Sequence, residues 1–388
     1  MQVIHVITRL IVGGAQENTI ASVLGLRRKP ALEVSLVSGP STGPEGSLET
    51  EVAHLPQLLT VVSRLVRPVH PWNDWLALRQ LRNLFSERHP DIVHTHSGKA
   101  GVLGRLAAHR AGVPIIIHTV HGPSFGPFQG PLSNLTFQGA ERYAAGVTTH
   151  FVAVAQALIA QYLSAGIGRA EQYTRIFSGF KLEPFLRAEN DLALRASLGI
   201  APDDFVVGKI ARLFKLKGHD DLFEAAPEII RRCPQIKFLL VGDGPWRRRF
   251  EQKARALGLQ KHFIFTGLVL PQEVPIYVGI MDALVHLSLR EGLPRALPQA
   301  LAAARPIIAY DCDGASEVCL QDQTGFLLPP GDLRGLCDRV VALSCDRVLR
   351  ERLGRAGQEF VCKNFGVEKM VDELYALYLR LIQRELSI

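Results

Sequence analysis

Short apolar runs rich in β-branched residues recur along the chain, separated by stretches with helical spacing. In the first half they are VIHVI (3–7), EVSLVS (33–38), DIVHT (91–95), PIIIHT (114–119) and HFVAVA (150–155), with helical patterns between them, as over 72–88 and 99–111. In the second half they are FVVGKIA (205–211), IKFLLVG (236–242), HFIFTG (262–267), DALVHLS (282–288) and RPIIAY (305–310). Strands alternating with helices predict parallel sheets covered on both faces. Two such series in one chain predict an α/β fold of two doubly wound, Rossmann-like domains. The segment FSGFKLEPFLRAEN (177–190), punctuated by Gly179 and Pro184, marks the change between them. This gives domains 1–183 and 184–366, followed by one amphipathic helix over 367–383.

Bulk properties agree with this division. A chain of 388 residues, 47% hydrophobic and 21% charged, is long enough for two separate cores. The start, MQVIHVITRL, lacks a basic leader and a small-residue cleavage site, so it reads as a buried strand rather than a signal peptide. No run approaches the roughly 20 apolar residues of a membrane span. The six cysteines lie in the second half without a C-x-x-C pair, which favours reduced thiols and a cytoplasmic protein. Of the net charge of +7, most falls in residues 1–185, which hold 16 Lys and Arg against 11 Asp and Glu. That excess is either ordinary surface charge or a face for phosphate-bearing partners, including the inner face of an anionic membrane. No Lys/Arg stripe with interleaved aromatics points to nucleic acid.

Open α/β sheets bind ligands beyond the carboxyl ends of their strands, so chemistry is sought there, on a cleft that two such domains would share. Gly13 and Gly14 follow the first strand and open a helix, either to present N–H groups to phosphate or to make a tight turn. The G-x-G-x-x-G pattern of a dinucleotide site is absent. His121 stands in a glycine turn after PIIIHT, while His118 reads as packed near the sheet. His96 and Lys99 follow DIVHT; His94 and His96 suit a buried core as well as a site. In GKIARLFKLKG, Arg212 and Lys217 flank one strand–helix junction, as a diphosphate site or a solvated basic loop requires. Gly242 makes another turn after a strand. Glu291 and Gly292 follow DALVHLS; a carboxylate there can accept hydrogen bonds from vicinal hydroxyls, and the next N–H groups can face an anion. Gln299 lies about two helical turns further on. Asp311 and Asp313 form a D-x-D in a turn after a strand, a setting common without metal.

Several ordered motifs resemble the retaining nucleotide-sugar glycosyltransferases of family 4, the group 1 glycosyltransferases. They are GGAQ, HTHSGKAGVLGR, HTVHG, R-x4-K-G, E-G-L-P-x4-Q in place of E-x7-E, D-x-D-G-x-x-E, and TGFLLPPGD (324–332). The resemblance implies a GT-B fold, with the acceptor bound by the first domain, the donor by the second, and the C-terminal helix (367–388) returning to the first. It implies that Arg212 and Lys217 hold the donor diphosphate and that Glu291 contacts the transferred sugar. Gly292, Leu293 and Pro294 would lie beside sugar and phosphate, with Gly13 and Gly14 closing on the diphosphate. His121 would sit near the reacting sugar, Leu268 and Val269 near the base, and Gln299 at the ribose. Gln16, His96 and Lys99 fall on the acceptor side. Ala304 and Asp313 stand where glycine is usual, and Pro298 falls early in a helix. The implied reaction moves a hexose from a nucleotide-diphosphate sugar, UDP-linked or GDP-mannose, to a glycan or lipid-linked acceptor, with no cofactor and no metal. The alternatives are a nucleotide-sugar epimerase of the same architecture and a non-catalytic nucleotide-sugar binder.

Overall fold

The structure is a computed structural model that describes residues 1–41, 46–126 and 128–386. The chain divides into two compact units: 1–180 with 367–388, and 181–366. The division falls at Phe180/Lys181 rather than at 183/184, within the segment marked from its Gly and Pro residues.

The first unit is built on seven parallel strands: β1 (Gln2–Ile7), β2 (Glu33–Ser38), β3 (Leu59–Val61), β4 (Ile92–His96), β5 (Ile115–Val120), β6 (His150–Ala153) and β7 (Tyr173–Arg175). Their order is β3-β2-β1-β4-β5-β6-β7. The hydrophobic pattern identifies the five inner strands. The outermost pair, β3 and β7, have three residues each and partly exposed side chains, too little for a pattern. Helix Pro71–Arg88 and helix Gly98–Arg110 cover one face, where Ala77, Leu81, Phe85, Ala100 and Ala107 meet Ile4, Val6 and Val93. Helix Gly14–Leu26 and the C-terminal helix Val367–Glu385 cover the other. The C-terminal helix buries Met370, Val371, Leu374, Leu377, Tyr378 and Leu381, one stripe at helical spacing. Gly25 lets the two helices approach, since a Cβ there would run into Val371. The pairs Arg28–Glu368 and Lys29–Asp372 lie at the rim of this contact.

The second unit holds six parallel strands: β8 (Phe205–Ile210), β9 (Ile236–Val241), β10 (Phe263–Gly267), β11 (Ala283–His286), β12 (Ile307–Tyr310) and β13 (Gly325–Leu328), in the order β10-β9-β8-β11-β12-β13. Helices His219–Arg232, Arg247–Ala256 and Leu333–Cys345 pack on one face around Phe223, Phe238, Phe250 and Tyr310. Sequence departures noted above find local reasons here. Ala304 (φ 54°) and Asp313 (φ 49°) both adopt the left-handed conformation that makes glycine usual at such positions. Pro298 does not disturb its helix, Ala296–Ala302: it falls in the first turn, where its missing N–H would have had no intrahelical acceptor.

The first unit also buries a group of imidazoles. Burial pushes the His5 ring down to about 3 and the His121 ring down to about 4. It pushes His94, His96 and His118 well below the usual range, with neighbouring imidazoles, and Arg105 beside His118, adding to the effect. These rings bind fewer protons folded than unfolded, so stability rises with pH wherever the unfolded rings are protonated. The contribution is full above the unfolded value of 6.5 and is lost as pH falls from there toward the folded values. At pH 5, His5 alone should cost about 2 kcal/mol relative to neutral pH. Urea unfolding between pH 8 and 5 should show stability flat above about pH 7 and falling steeply below 6.5. Equal stability at pH 7 and pH 5 would contradict the neutral burial of these rings.

Candidate functional site

In each sheet the strand order reverses once, between β1 and β4 in the first unit and between β8 and β11 in the second. The crevice beyond the carboxyl ends at such a reversal is where doubly wound sheets take ligands.

In the second unit, the loops after β8 and β11 meet there. Gly218, at φ 65°, caps helix His219–Arg232 and packs so close to the Leu287 carbonyl that no Cβ would fit. The Leu289 N–H donates to the Leu216 carbonyl at 2.9 Å, tying the loops together. Lys217 Nζ thereby reaches Glu291 Oε1 at 2.5 Å. His286 Nε2, from the end of β11, lies 3.3 Å from the same oxygen without hydrogen-bond alignment. Burial pushes the Glu291 carboxyl up, but His286 and the Lys217 ammonium outweigh it and hold the group well below the ordinary carboxylate range. Arg212 is exposed one turn beyond β8, its guanidinium over Phe214 at 5.3 Å, with no carboxylate in ion-pair reach among the described residues. The local arrangement is a fixed carboxylate, a cation bound to it, and a second cation left to solvent.

The supporting roles of His286, Asp313, Lys209 and His219 escaped the sequence reading. Asp313 Oδ2 accepts the Glu291 N–H at 2.6 Å, so the second acid of the D-x-D anchors the Glu291 turn. Lys209, inside β8 and 1% exposed, has no hydrogen-bond partner for Nζ among the described residues; burial, then Lys217, pushes it down to about 7. His219 is buried with neither ring nitrogen bonded among the described residues. The signal available was an ionisable residue within an apolar strand run, at Lys209 and His286.

Gly292, Leu293 and Pro294 form a turn before helix Ala296–Ala302. Gln299 is half-buried on that helix. After β9, Gly242 (φ 133°) packs on the Ala211 carbonyl and donates its N–H to Gly267 at 3.1 Å, which joins the loops after β8, β9 and β10. Beyond Gly267, Leu268 is exposed and Val269 partly so.

In the first unit, Gly13 precedes helix Gly14–Leu26, with Gly14 exposed and Gln16 half-buried on its first turn. His121 lies just beyond β5 and lines a cavity of about 270 Å³ with Ser97, Gly98, Thr119, Ser124 and Glu141. Glu141, on its lining, is paired with the buried Arg105 at 2.5 Å. His96 is buried and contacts His121, Nδ1 to Nε2 3.0 Å, instead of opening to solvent. Lys99 is committed to Asp74 at 2.5 Å and to the Pro68 carbonyl. His118 lies on the opposite face of the sheet from His94, against Gly101 and Phe151 and bonded to Thr95. Among the described residues, the group of side chains close enough to share a metal ion is His5, His94 and His96, all buried; Asp311 and Asp313 do not form one.

Comparison with known proteins agrees with this architecture. The family model described as glycosyl transferases group 1 matches residues 190–360, and that of glycosyltransferase family 4 matches residues 12–183. The UDP-Gal:alpha-D-GlcNAc-diphosphoundecaprenol alpha-1,3-galactosyltransferase of Escherichia coli is 29% identical over 325 residues, 83% of each chain. The capsular polysaccharide biosynthesis glycosyltransferase CapM of Staphylococcus aureus is 24% identical over 356 residues, 90% of each. Among solved structures, Anabaena HepE in complex with UDP superposes with a TM-score of 0.81 at 22% identity, over 98% of this chain and 100% of that one. With the two family models together spanning nearly all of both units, the chain belongs to the group 1, family 4 glycosyltransferases and has their GT-B fold.

Proposed function

We propose that the protein is a retaining hexosyltransferase that takes its sugar from a UDP-linked donor and passes it to a lipid-linked or glycan acceptor of the cell envelope. The observation that carries this reading is the Lys217–Glu291 pair at the β8/β11 reversal, with Arg212 unneutralised beside it. A diphosphate leaving group develops charge as the glycosidic bond breaks, and cations already in position stabilise that charge. Arg212 and Lys217 take that role, so the proposed reaction needs no divalent ion. Glu291, held ionised, accepts hydrogen bonds from the sugar hydroxyls and orients the ring. In the first unit, His121 offers its outward nitrogen to a sugar hydroxyl. The acceptor hydroxyl attacks from the face the diphosphate leaves, and a donor phosphate oxygen takes its proton. Support for the donor and acceptor classes comes from the specificity that the name of the E. coli relative states and from the UDP held by HepE.

Gln299 stands at the second position of the E-x7-E pattern, and we assign it the ribose diol. An amide offers both a donor and an acceptor to two hydroxyls, without the charge assistance of a carboxylate.

A peripheral contact with anionic membrane belongs to the same proposal. No helix among the described residues is long and apolar enough to cross a membrane. At the start of helix Pro71–Arg88, Trp72 (62% exposed) and Trp75 (48% exposed) stack at 5.2 Å, with Val69 exposed beside them. Arg79 lies over Trp75, and Arg64, Arg67 and Arg82 are exposed nearby. Aromatic rings flanked by arginines suit the headgroup region of an anionic bilayer.

Arg212→Ala and Lys217→Ala should each lower kcat/KM for a UDP-hexose donor at least about tenfold while the melting temperature stays within a few degrees. Near-normal turnover in both would remove the diphosphate assignment, and a sugar isomer released without any acceptor would establish the epimerase reading instead.

Calorimetric titration of UDP tests the neutral partner. Gln299→Ala should weaken binding, whereas Gln299→Glu should leave it similar or tighten it by up to about tenfold. Glu291→Gln should bind UDP almost normally but lose roughly a hundredfold in kcat. Unchanged UDP affinity in Gln299→Ala would refute the ribose role. Activity confined to Gln299→Glu would mark the natural chain as a binding protein.

For the membrane, co-sedimentation with phosphatidylglycerol vesicles should weaken as salt rises and should fall in a Trp72→Ser/Trp75→Ser variant. Equal binding to neutral vesicles, or none to either, would end this part of the proposal.

A further inference from the structure

We propose that Tyr378, His5, His94 and His96 are positioning residues: they form a single-file hydrogen-bonded string that couples the neutral tautomer of His121 to that of every ring in it, so that His121 cannot change tautomer alone. In its bearing on transfer, this rests on the role given above to His121; the string itself does not.

The links run without a break through the interior of the first unit. Thr119 Oγ1 lies 2.6 Å from His94 Nε2, and His94 Nδ1 lies 2.5 Å from Tyr378 Oη. The same hydroxyl lies 3.3 Å from His5 Nε2, and His5 Nδ1 lies 2.9 Å from His96 Nε2. His96 Nδ1 then meets His121 Nε2 at 3.0 Å. His5, His94, His96 and Tyr378 are at most 1% exposed. Both nitrogens of each of these three rings are used, and the string ends at the wall of the cavity, where Thr119 and His121 both appear. His121 Nδ1 has no partner among the described residues and is the group left for a ligand. The three rings of the string that are close enough to share a metal are also close enough to bond one another directly.

A neutral imidazole carries one N–H and one lone pair, and a hydroxyl carries one proton. Six such groups in file have five links, and each link needs one proton. Only two arrangements fill all five, with every proton pointing toward His121 or every proton pointing toward Thr119. In the first, His121 Nδ1 is a donor; in the second, it is an acceptor. No single ring can change tautomer alone without leaving one buried link with two protons or none, which the dry interior penalises. The tyrosine at the centre comes from the C-terminal helix, so docking of that helix completes the string. The hydrogen bond His121 offers at the cavity is therefore tied to the tautomer of His94 through a residue at the other end of the sequence.

Tyr378→Phe deletes two links and leaves the ring in place. Nitrogen-15 spectra of histidine side chains, recorded at pH 7 without ligand, should show His5, His94, His96 and His121 neutral and with matching tautomers, protonated on Nδ1 or on Nε2 in the same proportion. In Tyr378→Phe, the remaining run His5–His96–His121 should keep one shared proportion from which that of His94 departs, while the melt remains cooperative. If that variant does not fold, His5→Asn breaks the string one link closer to His121 and should separate the proportion of His96 and His121 from that of His94. Unequal proportions among the four rings of the natural protein, proportions that stay equal in both variants, or a stoichiometric metal bound to His5 and His94 would overturn the proposal. Turnover of UDP-galactose, read as UDP release, should fall about tenfold in kcat in Tyr378→Phe with KM within about twofold. A tautomer shift with unchanged turnover would leave the string standing and remove His121 from the transfer reaction.

Discussion

A strand at the centre of a parallel sheet is buried on both faces, so an ionisable side chain placed in one must find its partners within the protein. Both sheets here carry such side chains on the strands that flank the order reversal. In the first, His5 on β1 and His94 and His96 on β4 sit side by side, because the register pairs His5 with His94. They remain neutral and satisfy one another. In the second, Lys209 on β8 and His286 on β11 lie beneath Glu291. The consequence is the same in both units: polar groups concentrate at the carboxyl ends of the central strands, where backbone turns open the sheet to ligand.

The second unit achieves by charge what the first achieves by neutrality. Glu291 is buried enough for its charge to be costly, yet Lys217 and the nearby His286 keep it ionised. The Asp313 carboxylate fixes the backbone of the same turn. Remaining charged without a bound ligand, such a carboxylate needs no proton transfer before it accepts a hydroxyl.

Residues that depart from the family pattern are accommodated by backbone geometry rather than by altered chemistry. Ala304 and Asp313 occupy left-handed positions that glycine would fill without strain. At Asp313 the side chain returns a hydrogen bond to the Glu291 turn, whereas at Ala304 nothing in the structure explains the choice. Pro298 occupies a helical position that lacks an intrahelical N–H bond in any case.

The inner strands, the two-series organisation and the family were legible because each is written in local pattern. Apolar runs of period two or continuous burial mark strands, amphipathic stripes mark helices, and motifs such as E-G-L-P stand directly after strands. Arg212, Lys217 and Glu291 were singled out in the same way, since residues that follow central strands need no tertiary information to be suspected. The edge strands β3, β7 and β13 were not legible: three or four residues are too few to show a period, and pairing with a neighbour defines them. Nor was the significance of His5 or Tyr378. Separated by 373 positions, they are joined only because the last helix lies across the first sheet, and a single hydroxyl between two rings has no signature in sequence. Sequence alone determined the inner strands and the amphipathic helices, because their patterns depend on neighbours along the chain. Tertiary structure decided which buried polar groups share protons, because hydrogen bonding depends on distances of about 3 Å between atoms that the chain itself holds far apart.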